Sequence, residues 1–144
     1  MANCTSYGSS GSNVLLPGLN IPNSGLTAFM SGFTQTGNKV TVAIWAPSGS
    51  APVATIQGGG NNGTILAMNT ASFSITASTA YYAVVTSTQP QKQTPQVLYN
   101  FDSLSYGTTT YAGTVTMCVE DTPNGGDCDF NDAVVAITWT TFAG

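Results

Sequence analysis

Five of the six acidic residues in this chain of 144, namely Glu120, Asp121, Asp127, Asp129 and Asp132, fall between positions 120 and 132. The only basic side chains are Lys39 and Lys92, and there is no histidine. Carboxylates crowded together without cations repel, so some must take up protons or capture a metal ion. Hard oxygen donors at short spacing select Ca2+ over softer metals. Asp127, Asp129 and Asn131 alternate, which sends their side chains to one side of an extended chain. Asp132 follows Asn131 directly, so the backbone must turn there if both are to reach one centre. The run opens like an EF-hand loop, but Asp132 stands where that loop needs glycine and Thr138 where it needs a bidentate Glu. It is therefore a calcium site of another kind. Two arrangements remain open: one ion that stiffens the loop, or two ions sharing bridging carboxylates, whose charges four carboxylates would balance.

The same inventory argues against catalysis. Glycoside hydrolysis needs two carboxylates on opposite sides of a bond, whereas these acids share one loop and only Asp102 lies elsewhere. No imidazole is present for general base work. With 6% charged and 42% hydrophobic residues, the chain folds behind a neutral, hydroxyl-rich surface. The net charge of −4 sits almost wholly in the cluster. A basic footprint for nucleic acid and a polybasic membrane anchor are both missing, and no apolar run is long enough to span a bilayer.

The elements that must position the acids read as strands. Val40–Trp45, Ser72–Thr76 and Tyr111–Val119 alternate, and Ala80–Val85 and Ala133–Trp139 are β-branched and aromatic runs of strand length. Pro17-Gly18, Gly58–Gly63, Gln89-Pro90 and Pro123–Gly126 are turn signals. The glycine run reads as a hairpin loop and Gln89–Pro95 as an exposed polar loop. No helical period and no internal repeat appears. One all-β domain, an antiparallel β-sandwich spanning residues 1–144, is the expectation. Trp45, Trp139 and Met30 read as core, and Tyr81 and Tyr82 as facing opposite ways.

The segment Asp127-Cys128-Asp129-Phe130-Asn131-Asp132, running through Ala133–Trp139 to Gly144, resembles the end of the two-calcium bacterial lectins that bind fucose and mannose. Glu120-Asp121 is similar to the acidic pair that opens their calcium loop. Upstream, Gly25–Phe29 followed by Thr34-Gln35-Thr36 resembles the family's early strand and sugar-specificity loop. The resemblance implies about nine strands and a symmetric homo-oligomer, dimer or tetramer. It implies a fucose- or mannose-type sugar bound through its hydroxyls to two Ca2+ ions per subunit. By that likeness Glu120, Asp127, Asp129 and Asp132 hold the first ion. Asp129, Asn131 and Asp132 hold the second, joined by the terminal carboxylate of a neighbour's Gly144. Asp121 accepts a hydrogen bond from the sugar, and Ser31, Gly32 and Phe33 line the site. Ser31 stands where the family has a calcium-binding Asn, and Phe33 adds an apolar wall. The segment between Asp121 and Asp127 is longer than the family's.

Two readings compete. One is a calcium-dependent sugar-binding module, which suits a neutral surface. The other is a structural or adhesive sandwich in which calcium only stabilises the fold. The N-terminus shows no signal peptide, so a cytoplasmic protein or export by a signal-independent route is expected. The cysteine count is odd. Three reduced thiols are the expectation, with a Cys118–Cys128 staple across the acidic loop as the alternative.

Overall fold

The computed structural model describes residues 3–4, 8–11, 13–19, 21 and 25–142. Alternation of apolar and polar side chains buries one face of each long strand, and two sheets close those faces on each other. The four-stranded sheet runs in the order β2 (Val14–Leu15), β8 (Tyr82–Ser87), β4 (Lys39–Trp45), β5 (Ala54–Gly59). The seven-stranded sheet runs β1 (Ser9–Ser10), β9 (Gln96–Tyr106), β10 (Thr109–Glu120), β11 (Ala133–Thr140), β3 (Leu26–Thr34), β6 (Leu66–Ala67), with β7 (Ala71–Ile75) also paired to β3. Every pairing between these strands is antiparallel. The all-β antiparallel sandwich is as expected. Among the described residues the count exceeds nine because three of the eleven strands are two-residue pieces that leave little trace in an alternation pattern.

The core lies between the sheets. Val40, Val42 and Ile44 of β4 face Met30 of β3, Val115, Met117 and Val119 of β10, and Val135 and Ile137 of β11 in one buried cluster. Burying each large apolar side chain contributes about 1.5–3 kcal/mol. Trp139 is buried and lies across from Gly113, where a Cβ would come within 2.4 Å of the indole ring. It stacks on Phe101 with ring centroids 5.9 Å apart. Met30 and Tyr81 are buried as well, and Tyr82 is half-buried. Trp45, expected in the core, is only half-buried because it ends β4.

Two connections differ from expectation. Residues 60–65 leave β5 in one sheet and enter β6 in the other, so the glycine run makes a crossing between layers rather than a hairpin. Residues 89–95 do form a loop, but Gln89 is buried and its amide donates to the Gln93 carbonyl at 2.6 Å. That pins the loop from inside. Among the described residues no helix is long and apolar enough to cross a membrane.

Candidate metal and ligand site

β10 carries Glu120 as its last residue, and Asp121 begins the connection to β11. Proline and glycine then forbid continued pairing: Pro123 has no amide proton and Gly125 takes φ 93°. Gly126 is required by close approach, since a Cβ there would lie 2.7 Å from Glu120 Oε1 and 2.4 Å from the Thr122 carbonyl. Cys128 and Phe130 both adopt left-handed backbone, φ 59° and 55°. Non-glycine residues hold that conformation only when their surroundings over-determine it. Here Phe130 is buried, and Cys128 is tied by a disulfide to Cys4. Thus Asp129 is presented between two fixed hinges.

The disulfide corrects the cysteine readings. Cys4 and Cys128 are joined with Cα atoms 5.3 Å apart, and Cys118 is the free thiol. Cys118 lies within β10, opposite Val134 and Leu98 in the ladder, and so cannot reach the loop. The N-terminal segment straps the loop instead. The Cys4 amide donates to the Pro123 carbonyl at 2.7 Å and Asn3 bridges Asn124, while Gln93 exchanges hydrogen bonds with the Asn124 backbone at 2.7 and 3.1 Å. Burial pushes the Cys118 thiol above its ordinary pKa.

The acids gather at one end of the sandwich. Oxygens of Glu120, Asp127 and Asp129 lie within 4.8 Å of one another, and so do those of Glu120, Asp121 and Asp132. Glu120 is common to both groups, a place the family likeness gave to Asp129 and Asp132. Its side chain is only 1% exposed, and Oε2 has no hydrogen-bond partner among the described residues. Burial pushes the Glu120 carboxyl up; the Thr122 amide at 3.2 Å pulls it down, and the charges of Asp127, Asp129 and Asp121 raise it further. Asp132 is half-buried. Burial lifts its pKa to about 7, aided by the charges of Asp121 and Glu120 and opposed by the Asp121 amide, which donates to it at 2.7 Å. Asn131 donates through its side-chain amide to Asp129 at 2.6 Å and through its backbone at 3.3 Å.

An orphaned buried carboxylate oxygen flanked by four further acids is costly as it stands. The donor set is all oxygen, which fits a hard divalent cation. The groups can therefore hold metal.

A cavity of about 560 Å³ opens over Glu120, Asp121, Asp127 and Asp132. Its walls come from both sheets: Thr36, Gly37 and Asn38 between β3 and β4, Asn62 from the crossing, and Thr122, Gly125 and Gly126 beside the acids. Asn38 and Asn62 were not foreseen as site residues, whereas Thr36 closes the segment likened to the specificity loop. Their signal was the polar run Thr36-Gly37-Asn38 and the Asn61-Asn62 pair, each adjoining a strand end. Ser31, Gly32 and Phe33 sit within β3 in register with Ala136, Val135 and Val134. Ser31 thus lies four residues beyond Asp132 along the ladder, roughly 13 Å at strand rise. The structure does not bring it to the acids, because β3 continues to Thr34 before the chain turns. Gly144 lies outside the described residues. A second cavity of about 500 Å³, lined by Phe29, Leu104 and several threonines of the seven-stranded sheet, holds a single acid, Asp102, and has no comparable cluster.

Residues 19–141 match the model of the fucose-binding lectin II (PA-IIL) family. The chain belongs to that family. The family is one of fucose-binding lectins. Among solved structures, the lectin II fold recurs in the C-terminal domain of the BC2L-C lectin from Burkholderia cenocepacia. That match has a TM-score of 0.66 at 16% identity, covering 94% of this chain and 100% of that one. The Ralstonia solanacearum high-affinity mannose-binding lectin superposes with TM-score 0.61 at 18% identity, covering 87% and 95%. The Chromobacterium violaceum lectin CV2L, solved with alpha-methyl-fucoside, gives 0.58 at 17% identity, covering 92% and 98%. No curated protein sequence matches the chain.

Proposed function

We propose that this lectin II family member binds a fucose- or mannose-type monosaccharide through two Ca2+ ions held in the acidic loop. The observation that carries the reading is the buried, partnerless Oε2 of Glu120 at the junction of two carboxylate groups. Glu120, Asp127 and Asp129 hold one ion. Asp132 holds the second with Glu120, which the two ions share, and Asn131 orients the Asp129 carboxylate. Sugar hydroxyls are neutral oxygen donors that replace water around a hard cation, whose charge offsets their desolvation. Thr36, Gly37, Asn38 and Asn62 form the polar wall against which the sugar ring lies. A homo-oligomer, dimer or tetramer, fits the exposed apolar side chains Phe29, Leu98, Leu104, Tyr106, Tyr111 and Phe142, which are too many for a wholly wetted sheet.

A glycan array probed with calcium and again with EDTA tests this. Binding to fucose or mannose glycans that disappears in EDTA is expected. Retention in EDTA refutes the metal-mediated site. Calcium uptake by calorimetry with no glycan bound leaves the other reading, a sandwich that calcium merely stiffens.

A further inference from the structure

We infer that Cys4, through its bond to Cys128, is a positioning residue for one of the two carboxylate groups and not for the other. A dithiol that opens the bond frees Asp127 and Asp129 and leaves Asp132 in place; this rests on the two-ion reading above. The two groups share Glu120 but are fixed in different ways. The group with Asp121 and Asp132 is built into strand ends. The Asp132 amide donates to the Val119 carbonyl at 3.1 Å, and the Asp132 carbonyl accepts from the Gln35 amide at 3.1 Å. Its Oδ2 accepts from the Asp121 amide at 2.7 Å. The group with Asp127 and Asp129 lacks such ties. Among the described residues, no backbone hydrogen bond joins residues 125–131 to the rest of the protein. The side-chain bond there is local, from Asn131 to Asp129 at 2.6 Å. Asp127 and Asp129 are exposed, and Gly125-Gly126 just ahead of them adds backbone freedom.

Two holds remain on this arm: the burial of Phe130 and the disulfide. Cys4 applies the second from a fixed base. It is wholly buried, and its amide donates to the Pro123 carbonyl at 2.7 Å. One residue therefore brackets residues 123–128, gripping the near end by its backbone and the far end by its sulfur. Opening the bond needs two electrons. A thiolate of the dithiol attacks Cys128 Sγ, because Cys128 is half-buried whereas Cys4 is inaccessible. The Cys4 sulfur leaves with the electron pair of the bond and takes up a proton. The second thiol of the reagent then displaces the Cys128 sulfur, closing the reagent into a cyclic disulfide and leaving both cysteines as thiols. Cys128, at φ 59°, then loses the constraint that holds its left-handed backbone. Its relaxation carries Asp127 and Asp129, the residues on either side, away from Glu120.

Calcium calorimetry tests the assignment, with every protein carrying Cys118→Ser so that the free thiol cannot reshuffle the bond. Cys4→Ser is expected to weaken one of the two calcium steps by about 10–100-fold. Placed on top of Asp127→Asn and Asp129→Asn, where the first group is already disabled, it should change the remaining step by less than about twofold. Equal losses in both backgrounds would make Cys4 a general prop and overturn the inference, as would two undiminished steps in Cys4→Ser. Treating the bridged protein with dithiothreitol should reproduce the contrast without a substitution in the bridge. Nuclear spin relaxation of the metal-free protein gives a readout that needs neither calcium nor sugar. On reduction, order parameters over residues 125–129 should fall from about 0.85 to below about 0.6, while those of Asp132, β10 and β11 hold. An unchanged segment overturns the inference, and so does a loss of order that spreads through both sheets. A bridged protein that takes up no calcium sinks the proposed function, and the relaxation result then decides the role of Cys4 alone.

Discussion

Stripping divalent ions from this protein should make its stability fall as pH rises. In the metal-free state the Asp132 carboxyl titrates at about 7, against an unperturbed 3.8. Between those values the folded state holds a proton that the unfolded chain has released, so raising the pH favours unfolding. Above pH 7 the penalty is complete, and below about 4 it is absent. A displacement of about 3 pH units corresponds to roughly 4 kcal/mol. Asp132 is only half-buried, and solvent screening cuts this to about 2 kcal/mol. Glu120, pushed the same way, adds to it. For a chain of this size about 1 kcal/mol moves the melting temperature by roughly 3 °C. The melt in EDTA should therefore drop by about 6 °C or more between pH 4.5 and pH 8. Saturating calcium should restore most of the loss, because a cation replaces the missing proton. Glu120→Gln should flatten the EDTA profile in part and abolish normal calcium uptake by calorimetry. A metal-free melting temperature that stays level or climbs over this window refutes the account of uncompensated acids.

Two further outcomes are expected. Reducing the Cys4–Cys128 bond, or replacing Cys128→Ser, should lower the melting temperature by about 6–15 °C. A removed native disulfide costs about 2–5 kcal/mol, and this one links residues 124 apart. Scanning calorimetry with and without a phosphine reductant checks it, and an unmoved transition counts against the strap. Ser31→Ala should leave both calcium and sugar affinities within about twofold, as its place in β3 keeps it away from the acids. A calorimetric loss beyond tenfold would restore Ser31 to the site.

The fold was legible because its signals are local. Alternation over Val40–Trp45 and Tyr111–Val119 gave strands whose cores are now seen, and Pro123–Gly126 ended β10 where turn chemistry says it must. The acids were legible for a different reason: with so few cations in the chain, their crowding had to mean something. What stayed hidden was long-range. Nothing in the residues around Cys128 names Cys4 as its partner rather than Cys118, since pairing depends on where the N-terminal segment lies. The position of the turn after β3 was equally hidden, because Ser31-Gly32 reads locally as a turn, whereas pairing with β11 carries the strand on to Thr34. A short shift of that kind exchanges the side chains at the cavity, from Ser31 and Phe33 to Thr36 and Asn38. Asn62 was obscured by reading a glycine-rich passage as a local hairpin when it carries the chain from one sheet to the other along the exposed surface.

The cavity has one feature that reaches beyond recognition. Its two halves belong to different layers, with the acids at the mouth of one sheet and the Thr36–Asn38 turn at the mouth of the other. Prising the layers apart at that end dissolves the binding place, so whatever occupies it is a rivet through the sandwich. By linkage, the free energy of ligation and the cohesion of the two layers are one quantity measured from opposite directions.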